Sequence, residues 1–220
     1  MSSNDNNQKN LIDKALDFHK NGKIDEALNL YLELIKNEEN NPQLLFLLGT
    51  ACVQTEKTKE GIDYLKKSLS IKPENFSAHS NLGNAFKNLN RYEEALECYD
   101  KAIQINPNFA DAYSNRGIIL QEMKRFDEAL HSYDSAIKIN PNHFFSHGNK
   151  GITLKDLNRY DEAIKSYDKA IEINPNFIEA YNNKGNALKD LKRFSEALDN
   201  YKKILDLKPE YEYNIGRVLH

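Results

Sequence analysis

Residues 110–143 read ADAYSNRGIILQEMKRFDEALHSYDSAIKINPNH, and residues 144–177 read FFSHGNKGITLKDLNRYDEAIKSYDKAIEINPNF. The two stretches have the same length, and their alanine, tyrosine and proline residues fall largely at the same places. Prolines recur at this spacing of 34 residues, at Pro73, Pro107, Pro141, Pro175 and Pro209. A fixed period of this length indicates an array of repeated structural units.

The recurring proline defines a frame for the whole chain when it is set at position 32 of each unit. The units are then residues 8–41, 42–75, 76–109, 110–143, 144–177 and 178–211. Position 8 always holds a small residue: Ala15, Gly49, Gly83, Gly117, Gly151 and Gly185. Position 24 holds a large one: Tyr31, Leu65, Tyr99, Tyr133, Tyr167 and Tyr201. Columns that agree over this length predict the same local structure in every unit.

Each column has a physical explanation in a pair of helices. Positions 4, 7, 8 and 11 share one face of a first helix, and positions 17, 20, 21, 24, 27 and 28 form the matching face of a second. Small residues at positions 8 and 20 let the two backbones approach, and the aromatic ring at position 24 fills the space beside them. Proline at position 32 ends the second helix. Asn108, Asn142 and Asn176 follow this proline, and we expect them to cap the next helix.

This order of small, aromatic and proline residues resembles the tetratricopeptide repeat. The resemblance implies an all-α fold, in which six helix-turn-helix repeats stack into a right-handed superhelix, an α-solenoid. Residues 212–220 are expected to begin a further helix, which appears as a partial terminal helix of a longer array. The polar residues 1–7 are expected to form a disordered tail.

In this family the first helices line the concave surface of the superhelix, and a helical wheel indicates which side chains face a partner. Position 6 holds asparagine in four successive repeats: Asn81, Asn115, Asn149 and Asn183. Position 9 adds Asn84 and Asn186, and the lysines Lys87, Lys155 and Lys189 share the same surface. A side-chain amide both donates and accepts, so a column of amides can bind an extended peptide whatever its side chains are. The alternative is that a solvated groove merely tolerates asparagine, which is common in this chain. Phe145, at position 2, is either a further contact for a partner or a packing residue.

Composition and scattered motifs argue against other kinds of function. The net charge of −3 argues against nucleic acid as a partner, and no apolar run is long enough to predict a membrane span. Cys52 and Cys98 are not in a paired motif, and His143 with His147 has a helical metal spacing that packing also explains. We therefore predict no catalytic residue, no metal and no cofactor. The polar start lacks the pattern of a signal peptide, so a cytoplasmic location is expected.

A second resemblance concerns the end of the chain. Lys208-Pro209-Glu210-Tyr211-Glu212-Tyr213, followed by Gly216 and by Leu219-His220, is similar to the junction in O-linked N-acetylglucosamine transferases of the SPINDLY-like bacterial group. There the repeats lead into a glycosyltransferase domain and supply it with polypeptide substrates. This resemblance implies a substrate-recruiting arm whose catalytic domain lies beyond His220.

Three readings of function follow. The first is a scaffold that binds other proteins or extended peptides in the asparagine-lined groove. The second is the arm of a polypeptide glycosyltransferase. The third, an RNA-binding helical array, fits less well because such arrays have a basic inner surface and a period nearer 35. The sequence does not determine the oligomeric state.

Overall fold

The structure, a computed structural model, describes residues 3–209. These residues form twelve α-helices joined by short turns. The helices are α1 (Ser3–Lys20), α2 (Ile24–Ile35), α3 (Pro42–Gln54), α4 (Thr58–Ile71), α5 (Phe76–Asn88), α6 (Tyr92–Ile105), α7 (Ala110–Glu122), α8 (Phe126–Ile139), α9 (Phe144–Asp156), α10 (Tyr160–Ile173), α11 (Ile178–Asp190) and α12 (Phe194–Leu207).

The helices pack as antiparallel neighbours in pairs, α1 with α2 through to α11 with α12. From α3 onwards, each pair lies inside one 34-residue unit of the frame. The helix α1 begins at Ser3, so residues 3–7 are helical where the sequence predicts a disordered tail. Residues 212–220, for which a further helix is predicted, lie outside the described residues.

The backbone contacts divide the chain into two compact units, residues 1–107 and residues 108–220. The first unit contains α1–α6 and the second contains α7–α12, so each holds three helix pairs. Each unit has its own apolar cluster. In the first unit this cluster includes Tyr31 and Leu48, and in the second it includes Tyr167 and Leu188.

The small residue at position 8 and the large one at position 24 meet between the helices of a pair. A Cβ atom added to Gly117 would lie 2.6 Å from Cε1 of Tyr133, and one added to Gly151 would lie 2.5 Å from Cε1 of Tyr167. Both tyrosine rings are completely buried. Burial also raises the pKa of both phenols above the ordinary value. The contact that the sequence columns predict is therefore present, with the tyrosine ring against the glycine backbone.

The turn inside each pair is a short and regular one. In α7 and α8, Lys124 has a left-handed backbone with φ of 59°. The N–H of Lys124 donates to the carbonyl of Gln121, and the N–H of Arg125 donates to that of Leu120, both at 2.8 Å. These two bonds form a Schellman motif. The Arg125 side chain then binds Glu128 in the first turn of α8 at 2.7 Å, which lowers the pKa of the Glu128 carboxyl.

The entry into the first helices differs from the expectation. The residues that cap α7, α9 and α11 are Phe109, His143 and Phe177, not the preceding asparagines. In the second unit the side chains of Asn140 and Asn174, which precede the prolines, accept hydrogen bonds from the N–H groups of Asn142 and Asn176. The cap therefore lies one residue later than the residue after proline, and each helix begins one residue later than predicted.

Within residues 3–209, no helix combines the length and the apolar character that crossing a lipid bilayer requires.

Candidate functional site

The first helices of successive repeats lie side by side within each unit. In the second unit, α7 contacts α9 and α9 contacts α11, and in the first unit α3 contacts α5. The predicted site residues at positions 6, 9 and 12 therefore lie on neighbouring helices. The residues of α7, α9 and α11 form one surface, which we call the second-unit face.

The asparagines at position 6 fall into two groups. In the first unit, Nδ2 of Asn81 donates to Oγ1 of Thr50 at 2.9 Å, so a neighbouring helix already binds this amide. In the second-unit face, Asn115, Asn149 and Asn183 are half-buried. The structure shows no hydrogen bond to these three amides from any other side chain within residues 10–209.

For Asn149 and Asn183, the difference follows from the residue at position 9 of the preceding repeat. That residue is Thr50 for Asn81, but Ile118 for Asn149 and Ile152 for Asn183. An aliphatic side chain cannot accept or donate a hydrogen bond, so it leaves the amide of the next repeat without a partner.

The asparagines at position 9 support the core. Oδ1 of Asn84 accepts a hydrogen bond from the hydroxyl of Tyr99 at 2.8 Å, and Oδ1 of Asn186 accepts one from Tyr201 at 2.9 Å. Both asparagines remain half-buried. Part of their hydrogen-bonding capacity is therefore already used by the tyrosines at position 24.

The three predicted lysines lie in the last turns of first helices, Lys87 in α5, Lys155 in α9 and Lys189 in α11. Lys87 and Lys155 are half-buried, and Lys189 is exposed. A cation at the C-terminal end of a helix is stabilised by the helix dipole, which gives these lysines a structural explanation beside the binding one.

A cleft with a volume of about 520 Å³ opens between α9 and α11 on the second-unit face. Its apolar wall is formed by Phe144, Phe145, Ile152 and Phe177. Glu179 also lines it, together with four asparagines, Asn149, Asn174, Asn176 and Asn183. The cleft thus combines an aromatic surface, four asparagines and one acidic residue.

The aromatic wall depends on a glycine. A Cβ atom at Gly148 would lie 2.8 Å from Cε1 of Phe177, so the ring occupies the space that a side chain would fill. The Phe177 ring makes edge contacts with Phe144 at 5.1 Å and with Phe145 at 5.6 Å between centroids. Phe145 is nevertheless 52% exposed. Phe145 therefore packs against its neighbours and also presents a ring to solvent.

A chain of hydrogen bonds holds the start of α9 beside this cleft. Nε2 of His143 lies 2.9 Å from Oδ1 of Asp111, and Nδ1 lies 2.7 Å from Oγ of Ser146. The three residue types are those of a hydrolase triad, but Ser146 is completely buried. Nδ1 of His143 also accepts the backbone N–H of Ser146 and so caps α9. The network therefore orients the helix, and its hydroxyl is closed to a substrate.

The other titratable groups in the core are held neutral. Burial lowers the pKa of His147, whose Nε2 donates to the carbonyl of Pro141 at 3.1 Å. Burial raises the pKa of the Cys52 thiol to about 11 and that of Cys98 to about 12. A thiol is nucleophilic only when it is deprotonated, so neither cysteine is activated. No group of three or more metal-ligating side chains is found in the part of the chain that the structure describes.

Comparisons with known proteins agree with this architecture. Tetratricopeptide-repeat models match residues 12–76, 110–143 and 178–211, and further models of the same repeat match 64–97, 83–124, 132–165 and 151–192. Together these matches run without a gap from residue 12 to residue 211. The chain belongs to the tetratricopeptide-repeat family.

Two solved structures are similar in fold. PilF of Pseudomonas aeruginosa has a TM-score of 0.81 and 17% identity, and the match covers 100% of both chains. YrrB, described as a tetratricopeptide-repeat protein with an unusual peptide-binding site, has a TM-score of 0.65 and 18% identity over 86% of this chain and 98% of its own.

A curated relative, the human protein O-mannosyl-transferase TMTC3, is 28% identical over 72 residues. This match covers 33% of the present chain and 8% of the human protein.

Proposed function

We propose that this chain is a scaffold that binds extended polypeptide segments, and that the second-unit face is its principal binding surface. The observation that carries the proposal is the set of three half-buried amides, Asn115, Asn149 and Asn183, that have no side-chain partner within residues 10–209. The fold family supports this function, since stacked repeats present long surfaces to partners. The peptide-binding site in the description of YrrB supports it further.

The chemistry of the amides explains why the partner would be a peptide. A half-buried amide that no other side chain binds keeps its donor and its acceptor available to a ligand. A peptide backbone supplies one donor and one acceptor per residue. Because the amides recur once per repeat on adjacent helices, they match an extended chain that crosses those helices.

The proposal predicts a specific loss of binding when the amides are removed. A randomised decapeptide library is panned on the wild-type chain, and the affinities of the peptides recovered are measured by fluorescence anisotropy. In the triple variant Asn115→Ala, Asn149→Ala, Asn183→Ala, we expect affinity to fall about tenfold or more, because each lost hydrogen bond contributes about 0.5–1.5 kcal/mol. The melting temperature is expected to stay nearly constant, because these amides bond to no other side chain within residues 10–209.

A matched control replaces three exposed asparagines of the first unit, Asn29, Asn37 and Asn88, with alanine. This control variant should bind every recovered peptide as the wild type does. Equal affinity of the Asn115, Asn149 and Asn183 variant and the wild type would contradict the proposal.

The same reasoning gives Asn84 and Asn186 a smaller share in binding, because their Oδ1 atoms already accept from tyrosine. Lys155 and Lys189 are proposed to lie at the edge of the bound peptide, at the far end of the first helices, and Lys87 has the corresponding place on α5 of the first unit. The proposed partners are other proteins, and not nucleic acid, since the chain carries a net charge of −3.

A second candidate is the substrate-recruiting arm of a polypeptide glycosyltransferase. A segment of a human protein O-mannosyl-transferase is similar to these repeats, and this similarity supports the second candidate. The segment covers 8% of the length of the human protein. Residues 210–220, on which the resemblance to the O-linked N-acetylglucosamine transferases mostly depends, lie outside the described residues. The two candidates differ in the mass of the native protein, which an immunoblot of the source cells measures: a band near the 25.4 kDa of this chain favours the scaffold alone.

A further inference from the structure

We propose that the cleft between α9 and α11 receives an arginine side chain of the bound polypeptide. The inference rests on the proposed function, since it assigns one residue of the peptide that the second-unit face would bind. It adds a specificity that amides alone cannot provide, because amides recognise the backbone and not the side chains.

The first argument is the aromatic surface. The Phe145 ring lines the cleft and is 52% exposed. Phe144 packs against one face of this ring at 4.1 Å between centroids, and Phe177 makes a T-shaped contact with it at 5.6 Å. A cation is attracted to the face of such a ring. The chain has this contact elsewhere: in the first unit, the guanidinium carbon of Arg91 lies 4.6 Å from the centroid of the Phe86 ring.

The second argument is the charge around that ring. Position 2 of the three first helices in the second unit holds Asp111, Phe145 and Glu179, so the exposed ring has an acidic residue on the neighbouring helix at each side. Asp111 already contacts His143. Glu179 is exposed and lines the cleft, and no ion pair to it is found in the described part of the chain.

The third argument is that the lysines of the same helices do not neutralise this charge. Lys150 of α9 is bound to Asp134 of α8 at 2.6 Å, and Lys184 of α11 is bound to Asp168 of α10 at 2.5 Å. Lys155 and Lys189 lie ten residues beyond Phe145 and Glu179 in sequence, which is about 15 Å along a helix. The cleft therefore has an aromatic ring and a carboxylate, but no basic side chain among the residues that line it.

Arginine fits this arrangement better than the other candidates. Its planar guanidinium stacks on a ring and donates two parallel hydrogen bonds to one carboxylate, whereas the lysine ammonium is a more strongly hydrated point charge. A purely apolar side chain would pack against the phenylalanines but would leave the carboxylate of Glu179 without a partner in the ligand. An acidic side chain would be repelled by it.

The test uses the randomised decapeptide library and the tightest-binding peptide recovered from it. We expect arginine to be enriched at one position of the recovered peptides. Replacing this arginine with citrulline, which keeps the shape and loses the charge, should weaken binding about three- to tenfold. Lysine should bind between arginine and citrulline, and norleucine no better than citrulline.

The protein variants assign the effect to the cleft. In Glu179→Gln and in Phe145→Leu, we expect the preference for arginine over citrulline to fall to about twofold or less. Glu93→Gln is the matched control, since Glu93 is also an exposed acidic residue in the first turn of a helix but lies on α6. This variant should keep the full preference. Circular dichroism of each variant verifies that the helices are retained.

The outcomes separate this inference from the proposed function. Peptides that bind through Asn115, Asn149 and Asn183 but show no preference for arginine would overturn the inference and leave the scaffold function standing. A preference for norleucine would also overturn it, because the cleft would then be an apolar pocket. If the wild-type chain bound no peptide from the library, both proposals would be contradicted.

Discussion

At the scale of single residues, the tyrosines at position 24 show how much one neighbour changes the role of a buried group. The hydroxyl of Tyr99 donates to Asn84, that of Tyr133 to Gln121 and that of Tyr201 to Asn186. Tyr167 is equally buried, but its hydroxyl has no partner among the described residues. Position 9 of its repeat is Ile152, where two other repeats have asparagine. The repeat of Tyr133 also has isoleucine at position 9, but there Gln121 at position 12 accepts the hydroxyl, whereas the repeat of Tyr167 has Lys155 at position 12. The hydroxyl of Tyr167 therefore lacks an acceptor at both positions.

This difference predicts opposite effects of the same substitution. Tyr167→Phe removes an unsatisfied hydroxyl, so we expect the free energy of unfolding to stay equal or to rise by up to about 1 kcal/mol. Tyr99→Phe removes a hydrogen bond and leaves Oδ1 of Asn84 unpaired, so a loss of about 1 kcal/mol is expected. Urea denaturation of the two variants measures both values. Equal destabilisation by the two substitutions would show that Tyr167 has a partner in solution.

At the scale of the helix pair, the turn between the first and the second helix has one backbone feature in common in every repeat. A left-handed residue occupies this turn: Gly22, Glu56, Asn90, Lys124, Asn158 and Lys192. Only the first of them is glycine, the residue that adopts this conformation without steric cost. In the second unit, the steric cost of this conformation at Asn158 is partly offset, because its Oδ1 accepts a hydrogen bond from the hydroxyl of Tyr160 at 2.8 Å.

We therefore expect glycine to stabilise the turn at Lys124 and not at Asn158. Lys124 is exposed, so Lys124→Gly loses little packing and removes a backbone strain of about 1 kcal/mol. Part of this gain is offset by the greater entropy of glycine in the unfolded chain, which leaves a net gain of about 0.5 kcal/mol. Asn158→Gly loses the bond to Tyr160 and should gain nothing. Thermal denaturation compares the two variants, and a larger gain at Asn158 would contradict this account.

At the scale of the whole molecule, the chain consists of two units with separate cores, each built from three helix pairs. In repeat proteins each repeat contacts only its neighbours, and the stability is close to a sum over repeats and their interfaces. Three repeats are enough for a stable array. The residues of the second-unit face and its cleft all belong to residues 108–220.

This organisation predicts that residues 108–220 alone fold and bind. A fragment of these residues should have a helical circular dichroism spectrum and should bind the library peptides within about tenfold of the affinity of the full chain. A fragment of residues 1–107 is the control. It carries Asn81 and Asn84, which already have partners, and it should bind these peptides much more weakly. Equal binding by the two fragments would contradict the proposal that the principal binding surface lies on α7, α9 and α11.

Much of the fold could be predicted from local sequence. The period of 34 residues, the helix pairs and the contact between position 8 and position 24 depend on spacing and on the sizes of side chains within one repeat, and the structure confirms the all-α repeat fold. The caps of α7, α9 and α11 were predicted one residue too early, because the side chains of Asn140 and Asn174 form a turn across the proline that a pattern of helix caps does not include.

The candidate site was predicted less completely. The sequence alone determined that asparagines recur at position 6 of the first helices, because the repeat period and the helical period together assign each residue to a position and a helix face. Only the tertiary structure decided that Thr50 binds the amide of Asn81, while no side chain within residues 10–209 binds those of Asn149 and Asn183. Only the tertiary structure placed the ring of Phe177 in the space left by Gly148, which forms the aromatic cleft. The physical reason is that a hydrogen bond or a ring contact depends on which residue of a neighbouring helix lies opposite, and packing determines that pairing.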